Sequence, residues 1–198
     1  SERYYKVYGT VMIRRGFVQY EPRIAAGLVG DGSACYGFDD EVSRDHDWGP
    51  GFCLWLCRRD SEAVGDALRV EYGNLPRDLD GFARSPSPGG SDRAAVFEIG
   101  EFYRKFIGLP HAPEKLDQWL YLPEESLCAC TNGTVFSDAL GEFSAVRERL
   151  LRFYPEDVRL AKMAARCISA GQSGQYHYAR CVRHGEHYAA QYAETKFC

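Results

Sequence analysis

The chain has 198 residues, a formal net charge of −4 and 45% hydrophobic residues. These values suit a globular protein with one large domain, or with one α/β domain and a small helical domain. No uncharged apolar run reaches the roughly 18 residues that a membrane span needs, and the small negative charge offers no basic track for a polynucleotide. Since no signal-peptide pattern opens the chain, we expect a cytoplasmic protein without a membrane or nucleic-acid partner.

The first predicted elements are an entry segment and two strands. Residues 1–20 mix aromatic and charged residues and predict an irregular or helical segment. Residues 24–29 form a short apolar run that ends in Gly-Asp-Gly-Ser, which indicates a strand followed by a turn. Residues 51–57 are continuously apolar, which is typical of a fully buried strand.

Two helices and a third strand are predicted next. Residues 60–72 carry an apolar stripe at helical spacing, and Asp60 or Ser61 is the expected N-cap. Residues 94–99 predict a strand. Residues 102–107 predict a helix that stops at the Gly and Pro residues after it.

The last part of the chain has the period of helices. Helices are predicted over 142–154, 157–170, 176–182 and 187–197, and Gly171 is the expected C-cap of the second of them. The apolar face of that second helix consists of Leu160, Ala164, Cys167 and Ile168. The last helix has no stop signal, so we expect the natural protein to continue beyond Cys198.

Charge is unevenly divided between the two parts of the chain. Residues 1–142 carry 15 basic and 23 acidic residues, whereas residues 143–198 carry 9 basic and 5 acidic ones. Such a bias reflects solvated faces in most proteins. It also suits an acidic part that holds metal and a basic part that holds phosphate.

The eight cysteines do not form a metal-binding pattern. None is part of a Cys-x-x-Cys pair, and no second pair follows at the spacing of a zinc site. We interpret them as reduced, buried thiols of a cytoplasmic protein.

One pair of motifs carries the expected chemistry. An Asp-x-Asp pair, Asp45 and Asp47, places both carboxylates on one face if it lies on a strand. Two convergent carboxylates suit Mg²⁺ or Mn²⁺ ions that hold a triphosphate. Gly32 and Ser33 form a turn that offers backbone N–H groups and a hydroxyl to phosphate oxygens. Each motif alone is common in turns and surface loops, but the two are complementary.

Residues 30–50 resemble a known superfamily. A Gly-Ser pair followed by Asp-x-Asp is the signature of the polymerase-β-type nucleotidyltransferases, and here the spacer has eleven residues, one more than usual. More closely, the segment resembles a bacterial branch of that superfamily that is named as a domain of unknown function. Three later segments resemble the same branch: residues 120–125, 131–136 and 153–158.

The resemblance implies an α+β fold. A small mixed sheet flanked by helices, the nucleotidyltransferase core, is expected over residues 1–110, and a helical acceptor domain over residues 111–198. It also implies that Asp45 and Asp47 bind the metal and that Gly32 and Ser33 contact the triphosphate.

The superfamily often adds a third carboxylate, for which Glu98 is the candidate. It shares a face of the predicted strand with Val96, and a glutamate inside an apolar strand is costly unless a cation or partner meets it. Alternatively, Glu98 lies at an exposed end of the strand.

Cations for the phosphates are expected from the basic part of the chain. Arg180 and Arg183 are three residues apart and therefore on one helix face, and with Arg147 they are predicted to face the nucleotide. The alternative is that they are solvated or pair with Glu148 and Glu186.

The expected function is Mg²⁺-dependent transfer of a nucleoside monophosphate from an NTP to a small-molecule or protein acceptor. The alternative is a catalytically weak or inactive nucleotide-binding regulatory module, such as the antitoxin half of a pair. The role of the acidic spacer residues Asp39, Asp40 and Glu41 is open to three interpretations. They either hold an amine-bearing acceptor, are neutralised by Arg44, or form a loop with Asx-type hydrogen bonds.

Overall fold

The computed structural model describes residues 1–38, 49–79, 81–83, 94–152 and 154–197, except the side chains of Lys196 and Phe197. Contacts divide the chain into two compact units. The first consists of Ser1–Pro113 and Leu122–Phe153, and the second of Glu114–Tyr121 and Tyr154–Cys198. The predicted domain boundary at residue 110 stays a prediction.

A four-stranded mixed sheet lies in the first unit. The strands in chain order are β1 (Ala25–Leu28), β2 (Cys53–Leu56), β3 (Asp78–Leu79), β4 (Phe82–Ala83), β5 (Val96–Glu98) and β6 (Thr134–Ser137). The sheet has the order β5-β2-β1-β6, in which β2 and β5 are parallel and the other neighbours are antiparallel, while β3 and β4 form a separate pair. The three strands predicted from apolar runs are confirmed, as is the mixed α+β class. Strand β6 and the β3–β4 pair were not predicted.

Helices surround the sheet and form the second unit. In chain order they are α1 (Glu2–Tyr4), α2 (Thr10–Gly16), α3 (Arg58–Gly73), α4 (Ile99–Ile107), α5 (Leu116–Leu120), α6 (Glu124–Thr131), α7 (Glu142–Leu151), α8 (Glu156–Gly171), α9 (Ala179–Arg183) and α10 (His187–Phe197). A π-helical segment, Tyr5–Gly9, joins α1 to α2, so residues 2–16 form one continuous entry helix. None of the helices in the described ranges combines the length and hydropathy required of a membrane span.

Alternating side chains of β2 separate two cores. Leu54 and Leu56 face a cluster that includes the aromatic residues of the entry helix and Leu68 of α3. Trp55 points to the opposite face, where its ring stacks on Phe143 of α7 with centroids 3.9 Å apart. Each such fully buried large side chain contributes about 1.5–3 kcal/mol relative to an exposed one.

The start of α3 differs from the prediction. The helix begins at Arg58, one turn earlier than an Asp60 or Ser61 cap requires. Asp60 is instead in the first turn and is buried, where both of its oxygens accept hydrogen bonds from Arg23 at 2.7 Å. The Cys57 thiol donates to the same carboxylate at 3.2 Å. The carboxylate that the local sequence suggests as an N-cap therefore forms an ion pair with an arginine that is distant in the chain.

The second unit corrects one further prediction, the C-cap, and shows that a predicted apolar helix face is uncovered. Gly171 has right-handed helical torsion angles and does not end α8, because a π-helical segment, Gln172–Tyr178, continues directly into α9. The predicted apolar face of α8 is exposed, with 51% of Leu160 and 62% of Ile168 accessible to solvent. Helical spacing identifies such a face but does not determine whether it is covered.

Candidate functional site

The turn after β1 has a backbone that favours glycine. Gly30 and Gly32 have φ angles of 126° and 113°, a region that L side chains rarely adopt. A short 3₁₀ helix, Ser33–Tyr36, follows at once. Among the residues that the structure describes, the backbone N–H groups of Asp31 and Gly32 find no acceptor. We refer to residues 30–33 as the Gly30–Ser33 turn, and it presents backbone donors of the kind that bind anions.

A side-chain amide from a distant segment holds the start of this turn. Asn132 accepts a hydrogen bond from the Gly30 N–H at 2.9 Å and donates one to the Gly30 carbonyl at 2.8 Å. The sheet explains why the two residues meet: β6 begins opposite the end of β1, with Thr134 paired to Leu28. Sequence reasoning missed Asn132, although its segment was among those that carried the resemblance.

Arg147 of α7 stabilises the segment that contains Asn132. Its Nη2 donates to the Thr131 carbonyl at 2.7 Å and lies 3.4 and 3.3 Å from the carbonyls of Asn132 and Gly133. The guanidinium thus binds three consecutive backbone carbonyls, a structural role that the sequence analysis did not predict. Among the described residues, its buried Nε has no hydrogen-bond partner.

A lysine that sequence reasoning also missed lies next to the turn. Lys105, in the last turn of α4, has its Nζ 3.4 Å from an Asp31 carboxylate oxygen and 5.1 Å from the centre of the Phe106 ring. Phe106 in turn approaches Gly30, where an added Cβ would lie 3.5 Å from its ring. Both charged side chains of the pair are about half exposed or more, so the pair contributes little to stability and can rearrange.

Tyr36, at the end of the 3₁₀ helix that follows the turn, is a second partner of the Asn132 side chain. Its hydroxyl interacts with the Asn132 side chain, and burial, followed by the nearby Cys128, raises the pKa of the phenol. The ring is nevertheless 44% exposed. Tyr36 therefore offers an accessible aromatic surface next to the turn.

The predicted site residues are only partly described. Gly32 and Ser33 lie in the turn as expected. The proposed metal ligands Asp45 and Asp47 lie outside the described residues, as do the acidic spacer residues 39–41.

Glu98 lies at the end of β5 and caps α4. Its two carboxylate oxygens accept hydrogen bonds from the N–H groups of Gly100 and Glu101, at 2.9 and 2.8 Å. Because β5 is parallel to β2 and β2 is antiparallel to β1, this end of the sheet is the one where β1 begins. The Gly30–Ser33 turn follows the opposite end of β1. The role of Glu98 as a third metal ligand stays a prediction.

Arg180 and Arg183 lie in α9 of the second unit, and both are exposed. They are three residues apart in the same helix, as expected. Their contact with a nucleotide stays a prediction.

The described residues include no group of three His, Cys, Asp or Glu side chains arranged to hold a metal ion.

The seven cysteines in the described part of the chain are free thiols, and two of them, Cys128 and Cys167, are exposed. The interpretation as reduced thiols stays a prediction, whereas the expected burial holds for only some of the described cysteines.

Comparison with protein families finds one similarity. The model of a family described as a domain of unknown function (DUF4037) matches residues 119–198. Comparison with curated proteins gives no match, and neither does comparison with solved structures. The match is consistent with the predicted resemblance to such a domain, but it does not include residues 30–50, on which that resemblance mainly rests. The segment that is similar to the family begins within α5 and contains Asn132 and β6.

Proposed function

We propose that the protein is a nucleotidyltransferase that binds the triphosphate of an NTP at the Gly30–Ser33 turn and transfers the nucleoside monophosphate to an acceptor. The observation that carries the proposal is the geometry of the turn. It follows a buried strand, contains two glycines with positive φ, and has backbone N–H groups without acceptors in the described part of the chain. This geometry suits phosphate oxygens, and the following residue, Ser33, adds a hydroxyl.

Lys105 supplies the positive charge that the turn needs. In the structure its ammonium group pairs with Asp31, whose carboxylate would repel a triphosphate. A bound triphosphate carries more negative charge than a single carboxylate, so Lys105 exchanges one anion for the other on binding. Arg180 and Arg183 are the proposed additional contacts from the second unit.

Asp45 and Asp47 are the proposed ligands of Mg²⁺ or Mn²⁺, which supplies charge neutralisation of the triphosphate when bound. In the reaction, an acceptor oxygen or nitrogen forms a bond to the α-phosphorus, and the bond from this phosphorus to the pyrophosphate oxygen breaks. Pyrophosphate leaves with the electron pair, and the acceptor proton passes to solvent. The turn orients the phosphates for this displacement. The acceptor class remains a small molecule or a protein.

The decisive experiment incubates the purified protein with each of the four labelled NTPs and Mg²⁺, followed by mass spectrometry of protein and small molecules. A mass gain on the protein would indicate a protein acceptor, and a labelled metabolite would indicate a small-molecule acceptor.

Asp45→Asn and Asp47→Asn should abolish transfer without unfolding the protein, because the side-chain volume is kept and the negative charge is removed. Asp66→Asn is the matched control, since the Asp66 side chain is fully exposed on α3. Wild-type turnover in both site variants would refute the metal site.

The lysine can be tested by two variants of opposite sign. Lys105→Gln should raise the Kd for NTP about tenfold, because a phosphate loses its cation. Asp31→Asn should lower the Kd, because a repulsive charge is removed and the lysine is released. Equal effects of both variants would contradict the exchange of ion pairs.

A second candidate function is a nucleotide-binding regulatory module without transfer activity. The position of Glu98 favours it, because a carboxylate that caps α4 at the far end of the sheet is not available next to the turn. In that case the Kd for NTP depends on Lys105 and Asp31 in the same way, but no label is transferred.

A further inference from the structure

The segment between α6 and β6 is hydrogen-bonded to the first residue of the Gly30–Ser33 turn. We propose that Asn132 is a positioning residue for triphosphate binding, an inference that rests on the proposed function. Residues 30 and 132 are 102 positions apart in the chain, and the two hydrogen bonds between them join segments that only the sheet brings together.

The Asn132 amide satisfies both backbone groups of Gly30 at once. Its oxygen accepts from the N–H and its nitrogen donates to the carbonyl, as a neighbouring strand would do. The turn is thereby tied to the protein at the residue that immediately precedes Asp31 and Gly32. Only a carboxamide offers a donor and an acceptor in this geometry, since a carboxylate lacks the donor.

The support of Asn132 is itself rigid. Arg147 donates to the carbonyls on either side of Asn132 and to its own. The next residue, Gly133, has a φ of 64°, and a Cβ there would lie 1.9 Å from the Leu28 carbonyl oxygen. This close approach leaves room for glycine only. The amide is therefore attached to a segment that cannot shift without separating β1 from β6.

Two glycines make a turn flexible unless something outside it fixes its shape. Gly30 and Gly32 have access to more backbone conformations than other residues. A ligand that binds only one of these conformations binds more weakly, because ordering the backbone costs conformational entropy. Asn132 removes part of that cost before the ligand arrives. A small displacement of binding groups can change rates or affinities by up to about 100-fold.

The test compares Asn132→Ala and Asn132→Asp with wild type in the full chain. Asn74→Ala is the control, because Asn74 is an exposed residue at the end of α3 whose hydrogen bonds to the other described residues involve its backbone only. The Kd of each NTP with Mg²⁺ and of inorganic tripolyphosphate is measured by calorimetry, and that of the free nucleosides is measured in parallel. Amide hydrogen exchange is followed without ligand at Gly30 and at Cys35, whose N–H donates to the Gly32 carbonyl at 3.0 Å.

We expect both Asn132 variants to raise the Kd for NTP and tripolyphosphate about 10- to 100-fold, and to accelerate exchange of the hydrogen-bonded amides of Gly30 and Cys35. Nucleoside affinity should change less than threefold (about 0.6 kcal/mol), which a general loss of structure would not produce. Faster exchange with an unchanged Kd would overturn the positioning role while the proposed function stands. If wild-type protein binds neither NTP nor tripolyphosphate, the proposed function fails and this inference fails with it.

Discussion

At the scale of single residues, burial determines which cysteines can react. The Cys130 side chain is completely buried, its thiol donates to the Leu127 carbonyl, and burial raises its pKa from the ordinary 9.0 to about 12. Cys128, two residues earlier in the same helix, is exposed. The sequence alone does not distinguish the two cysteines, because the spacing of apolar residues in such a short helix does not reveal which side faces the core.

The buried Cys130 thiol makes stability depend on alkaline pH. Below pH 9 the thiol is protonated in both folded and unfolded chains, and its full contribution is present. Between pH 9 and about 12 the unfolded chain releases the proton and the folded chain retains it, so stability falls as pH rises. Urea unfolding at pH 8 and pH 10 should show an additional loss of about 1.4 kcal/mol in wild type compared with Cys130→Ala. The same pH dependence in both proteins would contradict this assignment.

At the scale of elements, side-chain carboxylates begin two helices of the first unit. Glu98 holds the N-terminus of α4, and Asp138 accepts hydrogen bonds from Gly141 and Ser144 at the start of α7. Glutamate is not among the preferred N-cap residues. The spacing around Glu98 therefore did not suggest a cap, and an alternating strand was the more direct interpretation.

Replacing Glu98 separates capping from metal binding. Glu98→Ala should lower the free energy of unfolding by about 1 kcal/mol, because two N–H groups lose their acceptor. Glu101→Ala serves as the control, since that side chain is exposed and, among the described residues, pairs only with Arg104 at i,i+3. The measurements are urea unfolding and, in parallel, NTP turnover. Normal stability of Glu98→Gln combined with complete loss of turnover would instead favour the metal-ligand role.

Strand β6 illustrates why some elements could not be predicted. It has four residues, Thr134–Ser137, none of which is fully buried, and it lacks the apolar run that identified β1 and β2. Its backbone pairs with β1 through a register shift near Gly27. Pairing with a strand more than 100 residues away, not local propensity, makes this segment extended.

At the scale of the whole molecule, the uneven charge of the chain leads to a testable difference between arginine pairs. The double variant Arg180→Glu/Arg183→Glu should raise the KM for NTP about tenfold or more, because phosphate oxygens lose two cations. Thermal stability should stay near wild type, since both side chains are exposed.

The control for that prediction is Arg149→Glu/Arg152→Glu, which makes the same change in net charge at two exposed positions near the end of α7. An equal increase in KM for both double variants would indicate a general effect of net charge. No increase for Arg180→Glu/Arg183→Glu would show that the basic surplus is solvated surface.

The sequence by itself determined the local features of this protein. Continuous apolar runs specified β1 and β2, helical spacing identified α3, α4, α7 and α8, and the glycines of the Gly-Asp-Gly-Ser segment identified a turn. These features depend on side chains within a few positions of each other, so a pattern is sufficient to find them.

Only the tertiary structure decided which distant groups surround the turn. The strand order placed Asn132 at Gly30, α4 brought Lys105 to Asp31, and Glu98 went to the other end of the sheet. Arg147, expected to meet a nucleotide, binds backbone carbonyls, and the apolar face of α8 stays exposed. Each of these outcomes depends on strand register and packing between segments far apart in the chain. Residue type and local spacing leave such long-range pairings open.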